Sequence, residues 1–202
     1  MTKIKLCGLK RPCDIEYVNE LNPEYIGFVF AKKSKRYISP KEAEALRKQL
    51  NEKIIPVGVF VDEDIDIIVD LIRSNVIWAV QLHGNESEDY IKALKEEMTG
   101  KTIIKAFQIK NREDVKLANK SLADYVLLDS GCGSGETFDW SLISEITRPY
   151  FLAGGLTLEN VKIAIEELNP FAVDASSSLE TDGFKDKEKM TAFVNVVRQR
   201  KD

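Results

Sequence analysis

The chain has 202 residues, 44% of them hydrophobic and 31% charged, which is enough apolar material for the core of one ordinary domain. A net charge of −4 and a pI near 5.3, with no basic run or aromatic–basic interleaving, argue against a nucleic-acid partner. No apolar run approaches the ~20 residues that cross a bilayer, so no membrane partner is expected. Cys7, Cys13 and Cys132 are odd in number and lack metal-ligand spacing, so neither a disulfide framework nor a metal site is expected. The start of the chain lacks a secretory pattern, and the cytoplasm is the expected compartment.

Lys3-Ile4-Lys5-Leu6-Cys7 opens the chain with an alternating run. Alternation puts Ile4 and Leu6 on one face of a strand and Lys3, Lys5 and Cys7 on the other. A thiol among lysines suits a face turned toward a site. From this strand alone the favoured reading is a small buried hydrophobe, the usual state of a free cysteine, and it is the rest of the chain that turns the reading toward a site. Further strands are predicted at 25–30, 55–61, 77–83, 102–107, 125–129, 150–153 and 172–175, after a first at 4–7. Helical patterns lie between them at 12–21, 40–50, 65–74, 87–98, 112–118, 140–146 and 158–168, and the last follows at 187–199. Pro12 and Pro40 suit first helical turns, with Ser39 as N-cap before Pro40, and Ser87 precedes the acidic pair Glu88-Asp89.

Strict alternation of strand and helix implies a parallel sheet. Eight units in a chain of this length are the lower size limit of a (β/α)8 TIM barrel, here a single α/β domain spanning 1–202. An open doubly wound sheet is the competitor. The count of eight, and the lack of a G-x-G-x-x-G after the first strand, favour the barrel.

The active site of such a barrel lies at the C-terminal ends of its strands. The first strand ends in Cys7. In the fourth, Trp78, Val80 and Leu82 face the helices, and Ala79, Gln81 and His83 point inward. The sixth ends in Asp129, and the eighth carries Asp174. A lone histidine is also commonly structural, and aspartates also cap turns. Gly154-Gly155 after the seventh strand and Ser176-Ser177-Ser178 after the eighth, where a short extra helix can begin, form the expected anion cradle. The loop Ala31–Tyr37 holds the one concentrated positive patch near this face, and Arg36 in it has the planar fork that clamps a carboxylate. The glycine-rich stretch 130–136 reads as a cover over the site.

In these residues the chain resembles phosphoribosylanthranilate isomerases, essentially from end to end. The resemblance is carried by Lys5-Leu6-Cys7-Gly8, Gly27-Phe28-Val29-Phe30, Ser34-Lys35-Arg36, Val59-Phe60-Val61 and Val80-Gln81-Leu82-His83-Gly84. It continues through Leu127-Leu128-Asp129, Gly133-Ser134-Gly135, Phe138-Asp139-Trp140, Leu152-Ala153-Gly154-Gly155-Leu156, and Asp174 with Ser176, Ser177 and Glu180. Gly183-Phe184-Lys185-Asp186 also fits. The resemblance implies a barrel without cofactor or metal, acting on a small phosphosugar. The reaction is the Amadori rearrangement of N-(5-phosphoribosyl)anthranilate to 1-(2-carboxyphenylamino)-1-deoxyribulose 5-phosphate, in tryptophan synthesis. It further implies that Cys7 is the general base, Asp129 the general acid, Arg36 the contact to the anthranilate part, and Gly154, Gly155, Ser176 and Ser177 the phosphate site. Gln81, His83 and Asp174 are expected to touch substrate. Two departures stand out: Ser178 replaces a usual glycine, and Cys132 is incidental.

That chemistry sets requirements. Asp129 must be protonated to open the furanose ring, so its pKa is expected above the reference of ~3.9. Cys7 must be a thiolate, so its pKa is expected below the free value of ~8.5. Lys5 is the only cation the sequence places nearby, roughly 6.6 Å back along the strand, which reads as too far for contact. An isomerase of the histidine-pathway aminoaldose would end its first strand in Asp. A lyase or synthase of the tryptophan pathway would need a longer chain with further acidic residues. A non-catalytic phosphosugar-binding barrel would not need both Cys7 and Asp129. The sequence is compatible with a monomer or a homodimer.

Overall fold

The computed structural model describes residues 1–130 and 139–199. Eight parallel strands close into a barrel: β1 (Lys3–Cys7), β2 (Tyr25–Val29), β3 (Ile55–Phe60), β4 (Ala79–Leu82), β5 (Thr102–Gln108), β6 (Tyr125–Asp129), β7 (Tyr150–Leu152) and β8 (Ala172–Ala175). Each pairs with its sequence neighbours, and β8 returns to β1 with Lys5 opposite Asp174. The helices are α1 (Pro12–Leu21), α2 (Pro40–Arg47), α3 (Ile65–Arg73), α4 (Glu88–Glu97), α5 (Arg112–Lys120), α6 (Val161–Leu168) and α7 (Lys187–Arg198).

The alternation in the strands becomes two separate cores. Outward residues such as Ile4, Leu6, Val80, Leu82, Val126 and Leu128 pack under the helices. Inward residues Tyr25, Val57, Ala79, Ile104, Leu127 and Phe151 fill the barrel. The N-terminal end of the barrel is plugged by aromatic rings. Tyr25 and Tyr125 meet Phe151 edge-on at centroid distances of 5.4 and 5.7 Å, and the Lys3 ammonium sits 4.6 Å above Phe171. The largest group of strand-end polar residues lies at the opposite, C-terminal end. Local signals set the helix starts: Ser39 and Glu42 cap each other around Pro40, and the Ser87 hydroxyl accepts from Tyr90 N–H.

Several expectations are corrected. The pattern at 140–146 forms a 3-10 helix, Trp140–Glu145, with Asp139 as its N-cap, in place of an α-helix. The helix expected from 158 begins at Val161. Asn160 turns its amide back to Gly155 O at 2.8 Å and Thr157 N at 2.8 Å, so that turn stays outside the helix and is tied to the site loop. Trp78 lies outside β4 and is 38% exposed, with Arg47 and Lys101 over its ring, instead of packing under the helices. After β8 the chain forms a 3-10 turn, Ser177–Leu179, and then a hairpin of β9 (Glu180–Thr181) and β10 (Phe184–Lys185). The turn matches the short extra helix expected to begin at Ser176-Ser177-Ser178, and the hairpin is additional to it. Cys132 and most of the expected cover, 131–136, lie outside the described residues. No helix among the described residues is long and apolar enough to cross a membrane.

Candidate active site

All ten residues singled out from the sequence line one cavity of about 250 Å³ at the C-terminal end of the barrel. Cys7 reaches it from β1 and Asp129 from β6. Gln81 and His83 come from β4 and the residue beyond it, Asp174 from β8, and Arg36 from the loop after β2. Gly154, Gly155, Ser176 and Ser177 lie along the loops after β7 and β8.

Cys7 is buried, and Gly27 on β2 packs against it so closely that a Cβ there would come within 2.5 Å of Sγ. Beneath it Lys5 is wholly buried, with Nζ 2.8 Å from Asp174 Oδ2. The Lys5 ammonium acts on the Cys7 thiol from two residues back on the same strand face, while its hydrogen bond goes to Asp174. Burial pushes the Cys7 thiol up. Lys5 pulls it down, Asp174 pushes it up again, Lys185 pulls it down, and the net direction is upward. The expected lowering is therefore not found, because burial dominates and Asp174 takes much of the Lys5 charge. For Lys5 burial works downward, but Asp174 and Cys7 outweigh it and the net direction is upward. For Asp174 burial dominates and pushes the carboxyl up against the pull of Lys5.

Asp129 is paired with His83: Nε2 lies 3.4 Å from Oδ2. Gln81 Nε2 sits 3.0 Å from His83 Nδ1. With the Gln81 amide donating, the ring proton sits on Nε2 and faces Asp129. Gly154, at φ +78°, lets the loop after β7 press onto this carboxylate. A Cβ there would overlap Ser130 N and come within 2.5 Å of Asp129 Oδ1.

Arg36 does not stand open in the cavity. Its Nε and Nη2 donate to Glu180 Oε1 and Oε2 at 2.6 and 2.8 Å, leaving Nη1 on its outer corner. Glu180 also accepts from the buried Lys185 Nζ at 2.6 Å. Burial works to raise the Glu180 carboxyl, yet the hydrogen bonds from Arg36 and Lys185 hold it below the usual range. Lys185 further donates to Ser176 O at 2.9 Å, and Ser176 Oγ donates to Cys7 O at 2.9 Å. The Ser176 hydroxyl is thus occupied in fixing the end of β1, leaving its backbone for any anion. Ser178 Oγ is buried, lines the cavity and has no partner among the described residues, so the serine in place of glycine adds a donor. Glu180 and Lys185 carried the resemblance without a role. The Asp182-Gly183 turn between them was the available signal for the hairpin that brings them here. Among the described residues no group of three or more His, Cys, Asp or Glu is arranged to hold a metal ion.

Residues 4–196 match the family model for N-(5'-phosphoribosyl)anthranilate isomerase. The N-(5'-phosphoribosyl)anthranilate isomerase of Clostridium acetobutylicum is 44% identical over 210 residues, covering 100% of both chains. That of Thermoanaerobacter sp. is 42% identical, covering 98% of each. Among solved structures, phosphoribosyl anthranilate isomerase from Thermotoga maritima superposes with a TM-score of 0.88 at 37% identity, over 98% of this chain and 99% of that one. A phosphoribosyl anthranilate isomerase in complex with reduced 1-(o-carboxyphenylamino)-1-deoxyribulose 5-phosphate superposes with a TM-score of 0.86 at 36% identity, over the same shares.

Proposed function

The chain belongs to the N-(5'-phosphoribosyl)anthranilate isomerase family, and from that premise we propose how its residues divide the reaction. It is an isomerase of tryptophan biosynthesis, converting the phosphoribosylated anthranilate to the aminodeoxyribulose phosphate. The observation that carries the assignment of roles is that Cys7 and Asp129, a potential base and a potential acid, face one cavity from β1 and β6.

Asp129, in its protonated form, gives its proton to the furanose oxygen as the C1–O bond breaks, while the anthranilate nitrogen lone pair forms the C1=N bond. The Cys7 thiolate then removes the proton from C2. The C2–H electrons form C1=C2, and the C=N electrons return to nitrogen, giving an enolamine. Protonation of C1 and loss of the C2 hydroxyl proton yield the ketone, so the sequence is isomeric overall. One proton passing from the Cys7 thiol to the Asp129 carboxylate resets the enzyme. General acid–base groups of this kind contribute roughly 10²–10⁴-fold each.

The phosphate is assigned to Gly154, Gly155, Ser176 and Ser177, with backbone N–H groups and the Ser178 hydroxyl as donors. Arg36 takes the anthranilate carboxylate through Nη1, and Gln81, His83 and Asp174 meet the sugar. The bound product analogue of the related crystal structure supports a ligand with these three parts. All of these residues come from one chain, so either a monomer or a homodimer serves, and the cytoplasm suits the reduced thiol. Purified protein should abolish the fluorescence of phosphoribosylanthranilate and rescue a tryptophan auxotroph lacking this step. Persistence of the fluorescence would refute the reading.

A further inference from the structure

Cys7 lies in a ring of charged groups. Lys5 is on its own strand, Asp174 faces Lys5 from β8, and Lys185 approaches from β10. Arg36 also interacts with the thiol from the loop after β2, but its charge is spent on Glu180, which takes Lys185 as well. Asp129 and His83 act on Asp174 from β6 and the end of β4. Among the described residues Lys5 is the cation on the same strand face two positions before the thiol, and its ammonium is held by a single carboxylate. The pair is almost completely excluded from water, at 0% and 8% side-chain exposure, so neither charge is screened by solvent.

We propose that Lys5 is the positioning residue that makes Cys7 a base, and that Asp174 is the counter-charge that governs how much of the Lys5 field reaches the thiol. The inference rests on Cys7 as the base. Its second support is the free end of Asp174. Oδ1 is buried, has no partner among the described residues, and belongs to a side chain that lines the cavity. A sugar hydroxyl donated to Oδ1 draws on the carboxylate charge that Lys5 otherwise holds, and so releases Lys5 toward the thiol. The thiolate form of Cys7 is thereby favoured where the sugar is seated. The contributions of the two groups to the Cys7 thiol have the signs this requires, within a net direction that burial sets upward: Lys5 lowers it and Asp174 raises it. The thiol proton is the one that passes to the Asp129 carboxylate, and the thiolate remains as the partner of the Lys5 ammonium.

The test is the pH profile of Cys7 alkylation by iodoacetamide, read by mass spectrometry of the Cys7 peptide so that Cys13 and Cys132 do not contribute. Lys5→Met should move the profile to higher pH and Asp174→Asn to lower pH, each by about one to three pH units. A packing role alone would move neither. If Lys5→Met does not fold, Asp174→Asn decides alone: a downward shift supports the proposal, and no shift or an upward one overturns it. Turnover of Cys7→Ala separates this from the assignment of the base. Normal turnover there with shifted alkylation profiles would remove the base, and lost turnover with unshifted profiles would remove only the role of Lys5.

Discussion

Arg36 holds both oxygens of Glu180 through Nε and Nη2, so the guanidinium enters the cavity already oriented and with one corner left to offer. Fixing the fork beforehand reduces the side-chain entropy lost when a carboxylate binds. Arg36→Ala should cost the substrate one charge-assisted contact, about 1.5–3 kcal/mol, and raise KM roughly 10- to 100-fold with a smaller change in kcat. Steady-state kinetics on phosphoribosylanthranilate check this. An unchanged KM would take Arg36 out of the site.

Glu180 links the same contact to acid stability. Burial raises its carboxyl, but Arg36 and Lys185 outweigh burial and hold the folded-state value below the ordinary one. The stabilisation is therefore fully present above the unfolded value of about 4.3 and is lost as pH falls through the lower folded value. Glu180→Gln should melt below the natural protein at pH 7, and the gap should close as pH falls through that window. Melting temperatures from pH 7 down to 3 check this, and a gap independent of pH would contradict it.

Gly154 is fixed by space as well as by backbone angle. An alanine there would take a left-handed φ of +78° and push on Ser130 N and Asp129 Oδ1. The backbone conformation costs about 1–2 kcal/mol. The larger effect falls on turnover, because a displacement of about 1 Å in a reacting group can cost around 10²-fold. Gly154→Ala should stay folded while kcat falls roughly 10- to 100-fold. Circular dichroism alongside kcat checks this, and full activity would show that Asp129 tolerates displacement.

The barrel was legible because each strand states its own period. Ile4 and Leu6 against Lys5 and Cys7, and Val80 and Leu82 against Ala79 and Gln81, sort into the outer packing and the barrel interior as their alternation requires. The strand-end residues were legible for the same reason, since the fold puts Cys7, His83, Asp129 and Asp174 at one end. Long-range pairing was not legible. Lys5 and Asp174 are 169 positions apart, and Arg36 and Glu180 are 144 apart, so no local pattern joins them. The direction of the Cys7 thiol is not legible for the same reason: it depends on burial and on a carboxylate from the far end of the chain. The hairpin at Glu180–Lys185 was missed because its strands are two residues each, too short to show a period.

The pairing of Cys7 as base with Asp129 as acid is tested most directly by the turnover number of Cys7→Ser, measured by loss of phosphoribosylanthranilate fluorescence on protein shown to be folded. A serine hydroxyl keeps the size of the group but is far harder to ionise than a thiol. The expected result is a fall in kcat of roughly 10²–10⁴-fold with KM changed little. A kcat within tenfold of the natural protein would contradict the assignment of Cys7 as the group that takes the C2 proton.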